Sequence, residues 1–313
     1  MLDFVRRARR KRALARGSFG LAPEERRHEL LRHILPGQRG LEVGPYAFPI
    51  ASRSDGFDCL VMDVFTTEEL LQRAAHDPLI DDVARARIAS VDIVGPASDL
   101  EALVAPHLGA DKLAYIISSH NLEHIPDPIR FLRGCEAVLR PEGYLTMAIP
   151  DMRACMDFYR WPTTTADWLE AFQERRRKPT KSQVFTRDSL RAVVVGDCAT
   201  FEITTPAAAI GVAGDPQVAW QNWRESSDGP YEDCHCSTFT PASFRLLILE
   251  LQYLGLISLR ISSISQTRGS EFIVHLQNQA LAPMTSELFA AERLATLRQL
   301  QTEIGAKARG GRR

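Results

Sequence analysis

The chain has 313 residues, 45% of them hydrophobic and 25% charged, with a formal net charge of -1 at pH 7. This composition is ordinary for a soluble globular protein, and so small a net charge creates no global field to draw the chain to nucleic acid. The cysteines at 59, 135, 155, 198, 234 and 236 are scattered and do not form a disulfide framework. With no apolar leader and no run near the roughly 20 residues of a membrane span, a cytoplasmic protein is expected.

Residues 1–35 form a basic segment. Arg6, Arg7, Arg9, Arg10, Lys11, Arg12 and Arg16 fall close together, either as a solvated helix or as a shallow, peripheral contact with an anionic membrane surface. Pro23-Glu24-Glu25 starts a helix with Leu30, Leu31 and Ile34 on its apolar side. Gly40 to Pro45 reads as a first core strand turning into a loop, and Cys59–Val64 as the second. Asp63 follows Glu42 near the roughly 20-residue offset at which an acidic side chain in such folds receives ribose hydroxyls. A helix over Thr67–Ala75, with Thr67 as a cap, a third strand over Val91–Gly95 and a helix over Leu100–Leu108 come next.

Lys112 to Asp151 carries the clearest pattern. Leu113–Ile117 is an apolar, β-branched run suited to a strand buried on both faces. Asp127-Pro128 opens a helix whose apolar side holds Ile129, Leu132, Val138 and Leu139, and Pro141-Glu142-Gly143 stops it before a strand over Tyr144–Ile149. Two parallel strands joined by a helix make a right-handed βαβ unit. Ser118, Ser119, His120, Asn121, Glu123 and His124 crowd the loop after its first strand, and ligands in open α/β sheets bind at the carboxyl ends of strands.

From 151 to 236 the βα rhythm is lost, and the segment reads as an insertion covering the sheet. It holds Trp161, Trp168, Trp220 and Trp223, whose flat faces suit packing or sugar stacking. Thr240-Pro241 then caps a helix, and Leu256–Ser262 with Glu271–Leu276 alternate as an antiparallel hairpin. Past Pro283 a long helix with Ala290, Leu294, Leu297 and Ile304 in near-heptad register is expected to pack on another surface, in cis or in a homo-oligomer. The organisation is thus 1–35, a main domain over 36–278, and a C-terminal helix and tail over 279–313.

The turn after the first strand, Glu42 to Pro49, has one glycine followed by Pro45, Tyr46 and Pro49. A dinucleotide pyrophosphate needs further glycines for its close approach to the backbone. A crowded turn opening on a carboxylate suits a cationic cofactor without phosphate, such as S-adenosylmethionine. Glu42 would lie near its amino-acid end, the Gly44 backbone beside it, and Asp63 on the ribose.

LEVGPYAFP (41–49), VMDV (61–64), VDIVGPASDL (91–100) and SSHNLEHIPDPIRFLRGCEAVLRPEGYLTMAIPD (118–151) together resemble class I S-adenosylmethionine-dependent methyltransferases, in particular the methyltransferase-11-like proteins of bacterial polysaccharide assembly. The resemblance implies an α/β, Rossmann-like, doubly wound seven-strand mixed sheet with its last strand antiparallel. The cofactor set it suggests is Glu42, Gly44, Pro45, Asp63, Ala97, Ser98, Ser119 and His120. The chain departs from the family at Tyr46, where a second glycine is usual, and at Pro96, where an acidic residue is. The implied activity is O-methylation of a sugar or small glycan-linked acceptor. A non-catalytic binding module is the alternative, followed by a nicotinamide-dependent oxidoreductase or epimerase.

His124, His235 and His120 are the candidate bases, since an imidazole titrates near neutral pH. His124 is favoured for its place after the fourth strand. The i, i+4 spacing of His120 and His124 would suit zinc only on a helix, and no third ligand is evident, so no metal is expected. Asp151, Arg153 and Arg160 are candidate substrate-binding residues, with an exposed Arg153–Asp157 ion pair as the plainer use of two charges in that stretch.

Overall fold

The computed structural model describes residues 21–109, 111–194, 199–225, 232–280 and 284–309. The basic run at 6–16 and the Gly-Gly-Arg-Arg end lie outside the described residues. Helix α1 (Pro23–Leu30) precedes β1 (Arg39–Val43), β2 (Asp58–Asp63), α2 (Thr67–His76), α3 (Asp82–Ala86), β3 (Ile93–Val94) and α4 (Leu100–Val104). The central unit is β4 (Leu113–Ser119), α5 (Pro128–Val138) and β5 (Leu139–Pro150). Helices α6 (Thr165–Glu174) and α7 (Lys181–Leu190), a small ribbon of β6 (Ala192–Val193) and β7 (Gly211–Val212), and α8 (Pro216–Glu225) follow. The chain then returns through α9 (Pro241–Tyr253), β8 (Leu259–Ile264), β9 (Glu271–Asn278) and α10 (Ser286–Arg309).

The seven-stranded sheet has the order β3-β2-β1-β4-β5-β9-β8. Strands β1 to β5 are parallel, and β9 runs antiparallel to both β5 and β8. Alternation along β4 builds the two cores: Ile116 joins Leu41, Val43, Leu132 and Phe244 on one face, while Tyr115 and Ile117 join Leu30 and Ile34 on the other. Gly40, opposite Tyr115 in the ladder, is required by that packing, because a Cβ there would lie 2.1 Å from the Tyr115 ring.

Several local expectations are corrected. Thr66, not Thr67, caps α2 in a reciprocal pair with Glu69, and the Thr67 hydroxyl accepts the Val91 N–H instead. The third strand shrinks to Ile93–Val94, because the Asp92 carboxylate takes the Val61 N–H at 2.8 Å in place of a ladder carbonyl. Pro141-Glu142-Gly143 does not separate helix from strand. Glu142, at φ 64, bulges within β5 while Asn278 Nδ2 donates to the Leu139 carbonyl at 2.8 Å.

Helix α10 docks in cis along α9. Phe289 stacks on Tyr253 with ring centroids 3.7 Å apart, Arg293 pairs with Glu250 at 2.6 Å, and Glu303 accepts the Ala242 N–H at the start of α9. These contacts set the helix rotation so that Thr296 is buried and Leu294 stays 49% exposed, contrary to the heptad expectation. Phe289→Ala should cost about 1 kcal/mol and lower the Tm by about 2–4 °C without changing the assembly mass, as scanning calorimetry and light scattering will show.

His275 is fully buried opposite Thr146, and neither its ring nitrogens nor the Thr146 hydroxyl has a hydrogen-bond partner among the described residues. Burial, aided by His33 and Arg32, pushes its pKa down to about 3. The unfolded chain takes up this proton near pH 6.5 and the folded chain only near 3, so stability falls as pH drops through that window. His275→Phe should make the fall in Tm from pH 6.5 to 3 shallower than in the unaltered chain, as a pH series of melting curves will test.

Candidate active site

Strands β1 and β4 are neighbours whose chains continue to opposite sides of the sheet, which opens a crevice beyond their carboxyl ends. Gly44, at φ 64, follows β1 and donates to the Met62 carbonyl at 2.8 Å. A Cβ at Gly44 would stand 3.4 Å from Asn121 Oδ1 in the loop after β4, so the two loops frame a narrow slot. Tyr46 keeps a left-handed backbone at φ 46, the conformation a glycine adopts freely. The departure at Tyr46 thus preserves a glycine-like conformation at that position of the turn, at a cost of about 1 kcal/mol.

Glu42 is buried, and its two carboxylate oxygens accept the Ile50 and Ala51 N–H groups at 2.7 and 3.0 Å. Burial pushes its pKa up to about 7 against those hydrogen bonds. It braces the turn from below, with each oxygen accepting one backbone N–H group. Pro45 lies half-buried in that turn. Asp63 closes β2 and accepts the Phe65 N–H at 3.1 Å, with burial raising its pKa. Ala97 and Ser98 sit buried in a short 3-10 turn beyond β3, where Pro96 is its N-cap. Asp63 thus ends β2, and Ser98 follows β3 in that short turn.

Ser119 and His120 belong to a different network. Arg26 donates to Ser119 Oγ at 2.8 Å and pairs with Glu271 at 2.7 Å, while His120 Nε2 meets Glu271 at 2.8 Å. Burial disfavours the charged His120 ring, but Glu123 and Glu271 outweigh it and push its pKa up to about 9. A ring that is cationic at neutral pH and held between two carboxylates is no general base, so His120 is removed from the catalytic candidates.

His124 and His235, separated by more than a hundred residues, meet edge to face with ring centroids 4.7 Å apart. His124 Nδ1 donates to Asp233 at 2.9 Å, and His235 Nδ1 donates to Asp157 at 2.5 Å. Burial opposes protonation of His124, while Asp233 and Glu123 overcome it and raise its pKa. Asp157 is held well below the carboxylate range, against its burial, by His235 and Arg160. The segment bearing His235 is fastened to the loop after β4, since Cys236 N–H and Ser237 N–H both donate to the Glu123 carbonyl, at 2.6 and 3.1 Å. Helix α7 adds Gln183 Nε2 on the Cys236 carbonyl and Arg187 on the Asp233 carbonyl.

The expected substrate residues are placed otherwise. Asp151 is fully buried and pairs with Arg153 and Thr267, so neither charge faces the histidines. Arg160 spans Asp157 and the His235 carbonyl, which makes it a positioning residue. The anticipated Arg153–Asp157 ion pair does not form because Asp157 turns inward to His235. Sequence reasoning left Glu123 without a role and missed Asp157 and Asp233 as partners of the histidines. Asp233 lies two residues before His235, a signal that could have been read. Arg26 and Glu271 carry no such local mark.

The described residues contain no helix long and apolar enough to cross a membrane. A family model for the methyltransferase domain matches residues 8–196. Among solved structures the chain is similar to a SAM-dependent methyltransferase from Aquifex aeolicus, at 14% identity over 87% of this chain and 97% of that chain, with a TM-score of 0.41. It is similar also to an S-adenosylmethionine-dependent methyltransferase from Mesorhizobium loti (13%, 83% and 100%, 0.41) and to the CcbJ methyltransferase from Streptomyces caelestis (13%, 85% and 98%, 0.41). No curated protein matches. The slot fits the cofactor that the family implies: a Cβ would fill the approach at Gly44, and the carboxylate at Asp63 suits ribose hydroxyls. With more than half of the chain matched by the family model and the family's sheet order in place, the chain belongs to the methyltransferase-domain family and is an S-adenosylmethionine-dependent methyltransferase.

Proposed function

We propose that the chain methylates an oxygen of a sugar or small glycan-linked acceptor in surface-polysaccharide assembly, and that the acceptor lies against His124 and His235. The observation that carries this reading is the convergence of these two imidazoles, each with Nδ1 held by a carboxylate and Nε2 left to act. S-adenosylmethionine supplies the transferable methyl. The chain's own part is to hold the ribose at Asp63, admit the cofactor past Gly44, and orient the acceptor oxygen in line with the methyl. The imidazole pair acts on the acceptor's hydroxyl proton. Trp161 and Trp220, 78% and 52% exposed on the inserted segment, support a sugar acceptor by offering flat apolar faces. The basic run at 6–16 suits a peripheral contact with an anionic membrane, where lipid-linked glycans are assembled, from the cytoplasmic side.

Two measurements test this. Asp63→Ala should weaken S-adenosylmethionine binding by about 1.5–3 kcal/mol in calorimetry, the worth of a hydrogen bond to a charged acceptor. Affinity equal to that of the unaltered protein would remove Asp63 from the ribose site. Turnover on a panel of nucleotide sugars and lipid-linked glycans should identify the acceptor. With that acceptor, His124→Ala should cut turnover by about 10²–10⁴-fold while S-adenosylmethionine affinity holds. Full turnover in both His124→Ala and His235→Ala would sink the assignment of the acceptor to this pair.

A further inference from the structure

Glu123 is the anomaly of the site. Its side chain is 1% exposed, yet neither carboxylate oxygen accepts a hydrogen bond from any described residue. Oε1 lies 3.5 Å from His120 Nδ1 and 3.9 Å from His124 Nε2. A buried carboxylate without hydrogen bonds is costly, and His120 offsets that cost from one side only, leaving room for a further positive charge on the side of His124 and His235.

The surroundings specify what that charge is. One ligand atom each from Glu123, His124 and His235 lies within 4.8 Å of the others. Both histidines have Nδ1 held by a carboxylate, Asp233 for His124 and Asp157 for His235, so Nε2 is the nitrogen each can offer to an ion, which displaces any proton there on binding. Two imidazoles and a carboxylate therefore converge. Metal-bound histidine is commonly held in this way, with its second nitrogen on a carboxylate that fixes the ring and strengthens the ligand. Ligands about 2.0–2.2 Å from a four-coordinate ion lie about 3.3 Å apart, so side-chain rotation of an ångström or so would close the cluster.

We propose that Glu123, His124 and His235 bind one divalent first-row transition-metal ion, through a carboxylate oxygen and the two Nε2 atoms. Two nitrogens and one oxygen favour such an ion over Mg²⁺ or Ca²⁺, and three protein ligands leave coordination positions open. The neighbouring group of Cys155, Asp157 and His235 is not the site, because the Asp157 oxygens are already engaged by Arg160 and His235. Sequence spacing excluded a metal because His120 and His124 lack a third partner. The structure replaces His120 with Glu123 and brings His235 from the far end of the inserted segment.

The inference deepens the proposed function and rests on it in one respect, that the open positions face the acceptor. There the ion would bind the acceptor's hydroxyl oxygen and lower its pKa. The proton leaves to solvent, the new C–O bond forms as the S–C bond breaks, and S-adenosylhomocysteine departs. The two imidazoles then act on the hydroxyl through the ion and not as proton acceptors, which replaces the direct base role by metal ligation.

The test uses the tag-free full-length protein, stripped with a chelator and titrated with Co²⁺ while visible absorption is recorded. One Co²⁺ per chain with d–d bands characteristic of nitrogen and oxygen ligands, displaced by Zn²⁺, is expected. Glu123→Gln and His235→Asn should each abolish the bands. Asp157→Asn, which reaches the site only through His235, should weaken binding by about 10–100-fold. S-adenosylmethionine calorimetry on each variant checks that the fold persists. No Co²⁺ uptake by the unaltered protein, or equal uptake in Glu123→Gln and His235→Asn, overturns the metal site and leaves the methyl-transfer reading intact. Metal uptake with no methylation of any acceptor on the panel would count against that reading and not against the site.

Discussion

Everything that distinguishes this molecule from a bare doubly wound sheet converges on Glu123. Its carbonyl receives two backbone N–H groups from 236 and 237, and its carboxylate lies among His120, His124 and His235. Burial alone would drive that carboxyl toward its neutral form. The surrounding imidazoles reverse the balance and hold its pKa below the ordinary range. On one side the charge is continued through His120 to Glu271 and Arg26, which ties β4 to β9 and α1. On the other it is continued through His235 to Asp157 and Arg160. Segments near residues 26, 123, 157, 235 and 271 are thereby locked together by a few charges in a low-dielectric interior, where breaking one partner leaves another exposed to the full cost of burial.

The crevice divides its labour accordingly. The side nearer β1 to β3 is shaped by backbone: a left-handed Gly44, a left-handed Tyr46 and a buried Glu42 that ties down the amides at 50 and 51. That side is suited to receiving a ligand by shape and a few hydrogen bonds. The side beyond β4 is built from ionisable side chains whose protonation depends on each other. Glu42 and Glu123 show the contrast. Both are buried acids, but Glu42 is satisfied by two backbone N–H groups, whereas Glu123, in a 3-10 turn beyond β4, accepts no hydrogen bond from the described residues and lies among imidazoles.

The parts that local sequence settled are those whose physics is local. Asp127 caps α5 and Thr240 caps α9 where composition places them, because a cap depends on the next three residues. The apolar run of β4 and the alternation of β9 specify a central parallel strand and an antiparallel neighbour, since burial on a sheet follows a period of two. The turn after β1 was legible as a turn for the same reason, through its single glycine at 44. Failures were also local: Asp92 spends its side chain on a ladder amide, and Glu142 bulges where a stop was read.

What the chain's own order of residues could not reveal is who partners the charges. Asp151 and Arg153 look like ligand contacts and are an internal pair; Arg160 looks free and serves Asp157. His235 looks remote and stands against His124. Helical and strand periodicity rank residues by burial, but an ion pair is chosen by distance in three dimensions and by what water the fold removes. The return of the inserted segment onto the Glu123 carbonyl makes that choice, with contacts more than a hundred residues apart in the chain. Local propensity therefore determined the sheet and the turn after β1, while tertiary packing alone decided which acid, which two histidines and which carboxylates behind them come together.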